Sequence, residues 1–200
     1  MKSYWETLEN SPITAIVSMI LHPIILGPVT FFIIVFKSSN DIIEFVINYA
    51  VIATFLFAIP TIYVFYLLRK GKTRSIDIPV KEDRYGLFFV NLSVYCVTLI
   101  SLYFLNADKN ILILLFACII TSILVAIINK WWKISIHGTT LGGSVSALAI
   151  VVNKYFLILI LTFPVLILSR IRMKAHSPPQ VMAGLVLGFF ITYICYKILG

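Results

Sequence analysis

The sequence predicts an all-α fold, a polytopic membrane helical bundle, from its composition, its apolar runs and the placement of its charges. Hydrophobic residues make up 60% of the chain and charged residues 12%, whereas a soluble domain carries about 25% charged residues. Seven apolar runs approach or exceed the roughly 20 residues that cross a bilayer. They cover residues 13–36, 42–68, 87–105, 111–128, 139–152, 155–168 and 181–198. We therefore expect six or seven transmembrane helices in one integral membrane domain that spans residues 1–200.

Prolines interrupt the first apolar run. Pro23 follows His22, and Pro28 lies further along the same run. Proline removes a helical hydrogen bond and clashes with the preceding turn. We therefore expect residues 1–21 to form an interfacial or re-entrant helix, with the membrane span itself beginning near Pro23. His22 lies at this break without an evident partner in the sequence, so we expect its role to be structural.

The later runs differ in length. Four of them, at 42–68, 87–105, 111–128 and 181–198, are long enough to cross a bilayer by themselves. The runs at 139–152 and 155–168 are short for a span. Each can extend by about one helical turn, through Gly138, Asn153 or Ser169. We expect both to be membrane helices.

Basic residues concentrate in the connections that share one side if all seven runs cross. They lie mainly in the loop 69–84, near Lys130 and Lys133, and at 170–174. By the positive-inside rule this side faces the cytoplasm, which predicts a multi-pass protein of the cell membrane. A phosphate site would also require cations here, so the charges have two possible explanations. The same side holds three polar islands: a first at 81–84, a second at 133–137 and a third at 169–180.

The third island pairs a histidine with a glutamine. His176 and Gln180 are four residues apart, which places them on one face of a helix within hydrogen-bonding reach. A histidine held through one ring nitrogen presents the other as a nucleophile or a base. Arg170 is a candidate phosphate ligand or a cytoplasmic anchor. The simpler alternative for the island is a solvated loop beside the membrane with an incidental histidine.

The second island precedes a segment of small and hydroxylated residues. His137 is followed by Gly138, two threonines and a glycine pair. Such a segment can begin a helix whose free amides bind an anion, and Ser135 could donate a hydrogen bond to the same anion. The alternative is a helix cap at the membrane boundary, followed by small residues that allow close helix packing.

The first island offers two cations at helical spacing. Lys81 and Arg84 are three residues apart and could bind one phosphate from a single helical face. The alternative is a solvated basic loop. No cluster of Asp, Glu and His in the sequence has the pattern of a divalent-metal site, so we expect no metal and no cofactor.

Together the islands resemble the type-2 phosphatidic acid phosphatase superfamily, whose motifs are K-x6-R-P, P-S-G-H and S-R-x5-H-x3-D. The resemblance covers residues 81–184. Ser169, Arg170, His176 and Gln180 match the third motif, with glutamine in place of aspartate. Ser135 and His137 match the second, with Lys133 one position before it. Arg84 corresponds to the arginine of the first motif and is followed by tyrosine instead of proline; Lys81 could supply its lysine charge.

The resemblance implies a metal-independent double displacement on a lipid phosphate or isoprenyl diphosphate. His176 would attack phosphorus and form a phosphohistidine, while His137 protonates the leaving oxygen and later activates water. The phosphoryl charge would be neutralised by Arg170, Arg84, Lys81, Ser135 and Lys133. Membrane lipids are the expected surroundings, and no nucleic-acid partner is expected. The competing hypothesis is a non-catalytic transporter or anionic-lipid-binding protein, including a degenerate homologue that binds without turnover.

Overall fold

The computed structural model describes residues 12–73, 78 and 84–200, and these residues form helices joined by short connections, without a β-strand among them. The helices are α1 (Pro12–Ile20), α2 (Pro23–Ser38), α3 (Ile42–Arg69), α4 (Tyr85–Phe104), α5 (Lys109–Trp131), α6 (Ile136–Val151), α7 (Lys154–Arg172) and α8 (Pro178–Leu199). The predicted all-α class is therefore confirmed. The first of the seven apolar runs is divided between α1 and α2, and each of the other six lies almost entirely in one of the helices α3 to α8.

Five helices, α3, α4, α5, α7 and α8, are long and apolar enough to cross a membrane. Of the three others, α1 has nine residues, whereas α2 and α6 are apolar but have 16 residues each, which is short for a span. Large apolar side chains cover the outside of the bundle; Phe104 is 76% exposed and Ile198 75%. Lipid rather than water suits such a surface. The chain is therefore a membrane protein with at least five helices of spanning length.

The first apolar run is broken where the sequence predicts. Helix α1 ends at Ile20, and α2 begins at Pro23 with His22 as its N-cap. The expectation that Pro28 also interrupts the run is wrong, because Pro28 lies inside α2. Membrane helices tolerate such prolines when neighbouring groups satisfy the freed carbonyl groups. Whether α1 lies at the membrane interface stays a prediction, and residues 1–11 lie outside the described residues.

Two of the long helices are irregular. In α3, residues Ala53–Ala58 form a π-helical stretch between two α-helical segments. In α7, residues Lys154–Thr162 form a 3₁₀ helix that buries no side chain, and the α-helical part follows at Phe163–Arg172. Short π-helical insertions often accompany functional sites. The stretch in α3 lies beside the cavity described below.

Helices α6 and α8 pack against each other through glycines. A Cβ atom at Gly138 of α6 would lie 2.7 Å from the Val181 carbonyl oxygen of α8. A Cβ atom at Gly184 of α8 would lie 2.5 Å from the Ser135 carbonyl oxygen. Gly142 and Gly188 make equally close backbone contacts one turn further along. This four-residue spacing of glycines lets two membrane helices approach at backbone distance, and we call the contact the glycine seam.

Candidate active site

The described residues of the three polar islands meet at one end of the bundle, where backbone carbonyls connect them. The Arg84 guanidinium donates from Nη1 to the Ile134 carbonyl oxygen at 3.4 Å, which joins the first island to the second. Lys133 Nζ donates to the Ala175 carbonyl oxygen at 2.8 Å, and the Ser135 amide donates to the Gln180 carbonyl oxygen at 3.2 Å. These two bonds join the second island to the third. Residues separated by up to about 100 positions therefore form one cluster.

His176 is placed by the turn that ends α7. Lys174 adopts a left-handed conformation with φ 53°, and the Ala175 amide returns to the Arg170 carbonyl oxygen at 3.0 Å. This backbone arrangement is a common way to end a helix, because it satisfies carbonyl groups that the last turn leaves unpaired. The His176 amide also lies 3.4 Å from the Arg170 carbonyl oxygen. The turn thus fixes His176 close to the arginine of its own island.

Gln180 orients the His176 ring, though not by the geometry that the sequence predicts. His176 precedes α8 instead of lying on it; Ser177 is the N-cap, and Gln180 is the third residue of the helix. The Gln180 side-chain oxygen Oε1 accepts the Ser177 amide at 3.0 Å and lies 3.2 Å from His176 Nδ1. A backbone amide can only donate, so this atom is the acceptor oxygen. His176 therefore carries its proton on Nδ1, and Nε2 holds the lone pair.

Burial and neighbouring cations keep His176 unprotonated. The side chain is 8% exposed. Burial, together with the positive charges of Arg170, Lys133 and Arg84, lowers the pKa of His176 to about 3. The hydrogen bond with Gln180 opposes the shift only in part. The imidazole is consequently available as a nucleophile well below neutral pH.

Arg170 occupies the centre of the cluster. It is 1% exposed, and its Nη1 donates to Ser18 Oγ of α1 at 2.7 Å. The same nitrogen lies 3.4 Å from His137 Nε2. Next to it on α7, Ser169 Oγ donates to the Thr14 carbonyl oxygen at 2.7 Å. The contribution of α1 was not expected from the sequence, since nothing in a short apolar helix indicates which polar side chain it will place against a distant arginine.

His137 lies in the first turn of α6. Ser135 is the N-cap, and its hydroxyl accepts the Gly138 amide at 3.3 Å. His137 itself is 5% exposed. Ser135 is fully buried and supports the first turn of α6, whereas Lys133 bonds the Ala175 carbonyl oxygen next to His176. Their predicted contacts with phosphate remain predictions, and Lys81 lies outside the described residues.

His22 is the residue whose place in the site the sequence did not indicate. Its ring packs edge to face against His137, with ring centroids 4.7 Å apart and an angle of 86° between the planes. Its Nδ1 also accepts the Ile24 amide at 3.1 Å and so caps α2. The expected structural role of His22 is therefore confirmed by its cap on α2. The sequence did not indicate its partner, which is the ring of His137. The only available signal was a histidine beside a helix-breaking proline.

A cavity of about 230 Å³ begins at this cluster and continues between the helices. Arg84, His137, Arg170 and His176 line its polar end. Its other walls come from α2, α3, α4, α5, α6 and α8 and are mostly apolar. On α5 the lining residues run from Val125 to Leu114, a length of about 16 Å at helical rise. The arrangement combines a cationic, histidine-bearing end with a long apolar interior.

The described residues contain no group of three or more His, Cys, Asp and Glu side chains that could hold a metal ion. The polar end of the cavity presents the imidazoles of His137 and His176 and the guanidinium groups of Arg84 and Arg170. The chain matches no protein-family model, no curated protein and no solved structure.

Proposed function

We propose that this protein is a membrane lipid phosphatase that hydrolyses a phosphomonoester or diphosphate on an apolar tail through a phosphohistidine. One observation carries the proposal. The buried His176 ring holds its lone pair on Nε2, beside the Arg170 guanidinium, at the polar end of an apolar cavity. The resemblance of the three islands to the type-2 phosphatidic acid phosphatases gives the same assignment.

In the first chemical step, Nε2 of His176 attacks phosphorus and forms a P–N bond while the bond to the leaving oxygen breaks. Gln180 accepts the ring N–H on the opposite side and keeps the reactive nitrogen unprotonated. Arg170 and Arg84 face the developing charge on the phosphoryl oxygens. Fixed donors of this kind contribute through electrostatic preorganisation, about 3–4 kcal/mol for one donor in well-studied hydrolases.

His137 supplies and recovers the proton. It protonates the leaving oxygen; in the second step it takes a proton from the water that attacks phosphorus, and the P–N bond breaks. The products are the dephosphorylated lipid and phosphate, or a lipid monophosphate and phosphate from a diphosphate. A guanidinium group only donates hydrogen bonds. In the 3.4 Å contact between Arg170 Nη1 and His137 Nε2, the histidine nitrogen therefore contributes its lone pair. A bound phosphate accepts from Arg170 instead, and Nε2 of His137 then takes up from solvent the proton that it donates to the leaving oxygen.

The apolar interior of the cavity suits the substrate tail. With the substrate phosphate at His176, a tail about 16 Å long can lie along α5 from Val125 to Leu114. Each buried methylene group contributes about 0.8 kcal/mol to binding. A free sugar phosphate or inorganic phosphate lacks this contribution. The cavity therefore favours substrates whose phosphate is attached to a lipid or isoprenoid.

We further propose seven spans, with α2 and α6 crossing as well. Both begin at the end of the bundle that carries the site, with His22 before α2 and His137 in the first turn of α6. Both lead into helices that return from the opposite end. At that opposite end, Lys109 Nζ donates to the Gly200 carbonyl oxygen at 3.0 Å. The site end carries most of the basic residues, which favours its cytoplasmic placement.

The topology can be tested by labelling single cysteines in an otherwise cysteine-free protein. Lys72 and Lys174 are exposed near the site end, and Asn106 and Asn153 are exposed at the opposite end. A membrane-impermeant thiol reagent should label the first pair from the cytoplasmic side and the second pair from outside. Labelling of all four from one side would contradict the seven-span arrangement. Exchange of the two sides would overturn only the orientation.

The activity can be tested with purified protein and a set of lipid phosphates in the presence of a chelator. We expect phosphate release from the wild type and an acid-labile phosphoenzyme that carries the label from ³²P substrate. His176→Ala should lose both, whereas Arg172→Ala, at an exposed position beyond Arg170, should retain them. Chelator-sensitive release would point to a metal mechanism. Binding of lipid phosphates without any release would identify the protein as a non-catalytic binder.

A further inference from the structure

His22 is the third histidine of the chain and lies against His137 inside the cavity. The two rings meet edge to face at 4.7 Å, and both line the same cavity as Arg170 and His176. The proposed reaction assigns His22 no role. Its position beside the proposed general acid raises the question of what the contact does.

The ring of His22 is anchored to the start of α2. Nδ1 accepts the Ile24 amide at 3.1 Å, and Pro23 occupies the first position of the helix. Because a backbone amide only donates, Nδ1 holds the lone pair and the ring proton is on Nε2. A rotation of the ring would break the cap. His22 therefore presents a fixed surface to its neighbour.

The ring of His137 needs such a surface. Rotation about the last side-chain bond of histidine is broad and roughly two-fold, so packing decides which nitrogen faces a given partner. In this structure Nε2 of His137 faces Arg170 at 3.4 Å. The ring of His22 packs edge to face against this same His137 ring. A flipped ring would exchange Nε2 for a carbon at the point where the leaving oxygen receives its proton.

We infer that His22 is a positioning residue, whose capped ring holds His137 with Nε2 directed towards Arg170 and the bound phosphate. This inference rests on the proposed function for its catalytic consequence. It adds His22, which lies between α1 and α2 and belongs to none of the three motifs, to the residues of the three polar islands.

Three substitutions separate the ring of His22 from its cap. Asparagine is among the best N-caps, so His22→Asn keeps the cap and loses the ring. His22→Phe keeps a ring and loses the cap, and His22→Ala loses both. We expect His22→Asn to unfold at the wild-type temperature, and His22→Phe and His22→Ala to unfold at lower temperatures.

The catalytic effect should depend on the leaving group, since general acid help matters most for a poor one. With a lipid alkyl phosphate, His22→Asn and His22→Ala should lower kcat about tenfold, a part of the effect expected for a misplaced catalytic group. With an aryl phosphate, whose leaving oxygen needs little protonation, both should stay within about twofold of wild type. His22→Phe should retain most of the alkyl activity. An equal loss on both substrates in His22→Asn, or no loss, would overturn the inference.

A second measurement needs no activity. The chain contains three histidines, so selective ¹³C and ¹⁵N labelling of histidine gives three sets of ring signals that substitutions can assign. His22→Asn should shift the His137 ring signals, because the neighbouring ring is removed, and should change the signature of the protonated nitrogen. His22→Phe should leave that signature in place. Unchanged His137 signals in His22→Asn would disprove the positioning role, whereas an inactive wild type would disprove the phosphatase and leave this measurement valid.

Discussion

The glycine seam and the cavity wall show opposite ways of packing helices in one bundle. At the seam, Gly142 and Gly188 bring the backbones of α6 and α8 together with no space for a side chain. At the wall, the π-helical stretch of α3 places Leu56 and Phe57 beside an open interior of about 230 Å³. The seam belongs to the helices that carry His137 and follow His176. The wall at this stretch belongs to α3, which supplies none of the four residues of the polar end.

This difference separates the positioning of chemical groups from the accommodation of a ligand. Close backbone packing leaves a helix little freedom to shift, so it can hold two histidines at a fixed separation. The side chains that line an open cavity make few contacts with one another, so they can adjust to a flexible tail. Changes at the seam should therefore affect stability and chemistry together. Changes at the wall should affect the choice of substrate.

The largest effect is expected from a single methyl group at the seam. In Gly142→Ala the new Cβ meets the Leu185 carbonyl group of α8, which cannot move aside. Forcing α6 and α8 apart should lower the free energy of unfolding by about 3 kcal/mol, the upper end of the usual cost of overpacking, and remove activity. In the control Gly143→Ala the nearest atom is the Thr192 hydroxyl oxygen at 3.2 Å, a side chain that can rotate. Thermal unfolding in detergent should show a large loss for the first and little change for the second; similar values for both would contradict the rigid seam.

The next largest effect concerns the hydrogen bond by which Gln180 of α8 holds His176, the proposed nucleophile. Gln180→Ala removes the acceptor from both His176 and the Ser177 amide, and we expect kcat to fall by about 10- to 100-fold. This estimate is a fraction of the roughly 10⁴-fold loss when a hydrolase triad loses its carboxylate. Gln180→Glu keeps both hydrogen bonds, favours the helix start and raises the pKa of His176, so it should equal or exceed wild type. Wild-type kcat in Gln180→Ala would show that Gln180 does not orient the ring.

A smaller and more selective effect is expected at the wall. Thr61 and Thr54 both lie on α3, but Thr61 lines the cavity and Thr54 is exposed on the outer surface. Thr61→Phe should fill the interior and lower kcat/KM for long-tailed phosphates about tenfold, the loss of one or two buried methylene groups. Thr54→Phe is the matched control and should leave kcat/KM unchanged. Short-tailed substrates should not distinguish the variants; a loss that is equal for short and long tails would argue against a tail site.

The smallest effect concerns the NMR signals of the His176 ring, which should not shift as the pH falls. Because the pKa of His176 is lowered to about 3, its ring stays unprotonated as the pH falls and gains its proton only in strong acid. At pH 5 about 1% of the ring would be protonated, whereas an ordinary histidine with a pKa of about 6.5 would be about 97% protonated. The His176 ring signals, assigned by their loss in His176→Gln, should be constant between pH 7.5 and pH 5. A titration midpoint near pH 6.5 would show that the His176 ring is not buried among cations, and would contradict the proposed arrangement of His176, Arg170 and Arg84.

Local patterns in the sequence were sufficient for the helices and for part of the site. Apolar runs and the proline at 23 predicted where helices lie and where α2 begins, because burial and backbone restriction act over a few neighbouring residues. The pairing of His176 with Gln180 was also local, although the helix start at Pro178 changed its geometry. The exception among the prolines is Pro28, whose helix continues.

By itself the sequence determined the all-α class, the membrane setting, and the residue types at each polar island. Only the tertiary structure decided that Arg84, His137, Arg170 and His176 share one cavity, that Ser18 of α1 contacts Arg170, and that His22 lies against His137. The physical reason is range. A hydrophobic run or a cap depends on neighbours within a few residues, whereas contacts across 33 or 152 positions depend on which helix faces pack together.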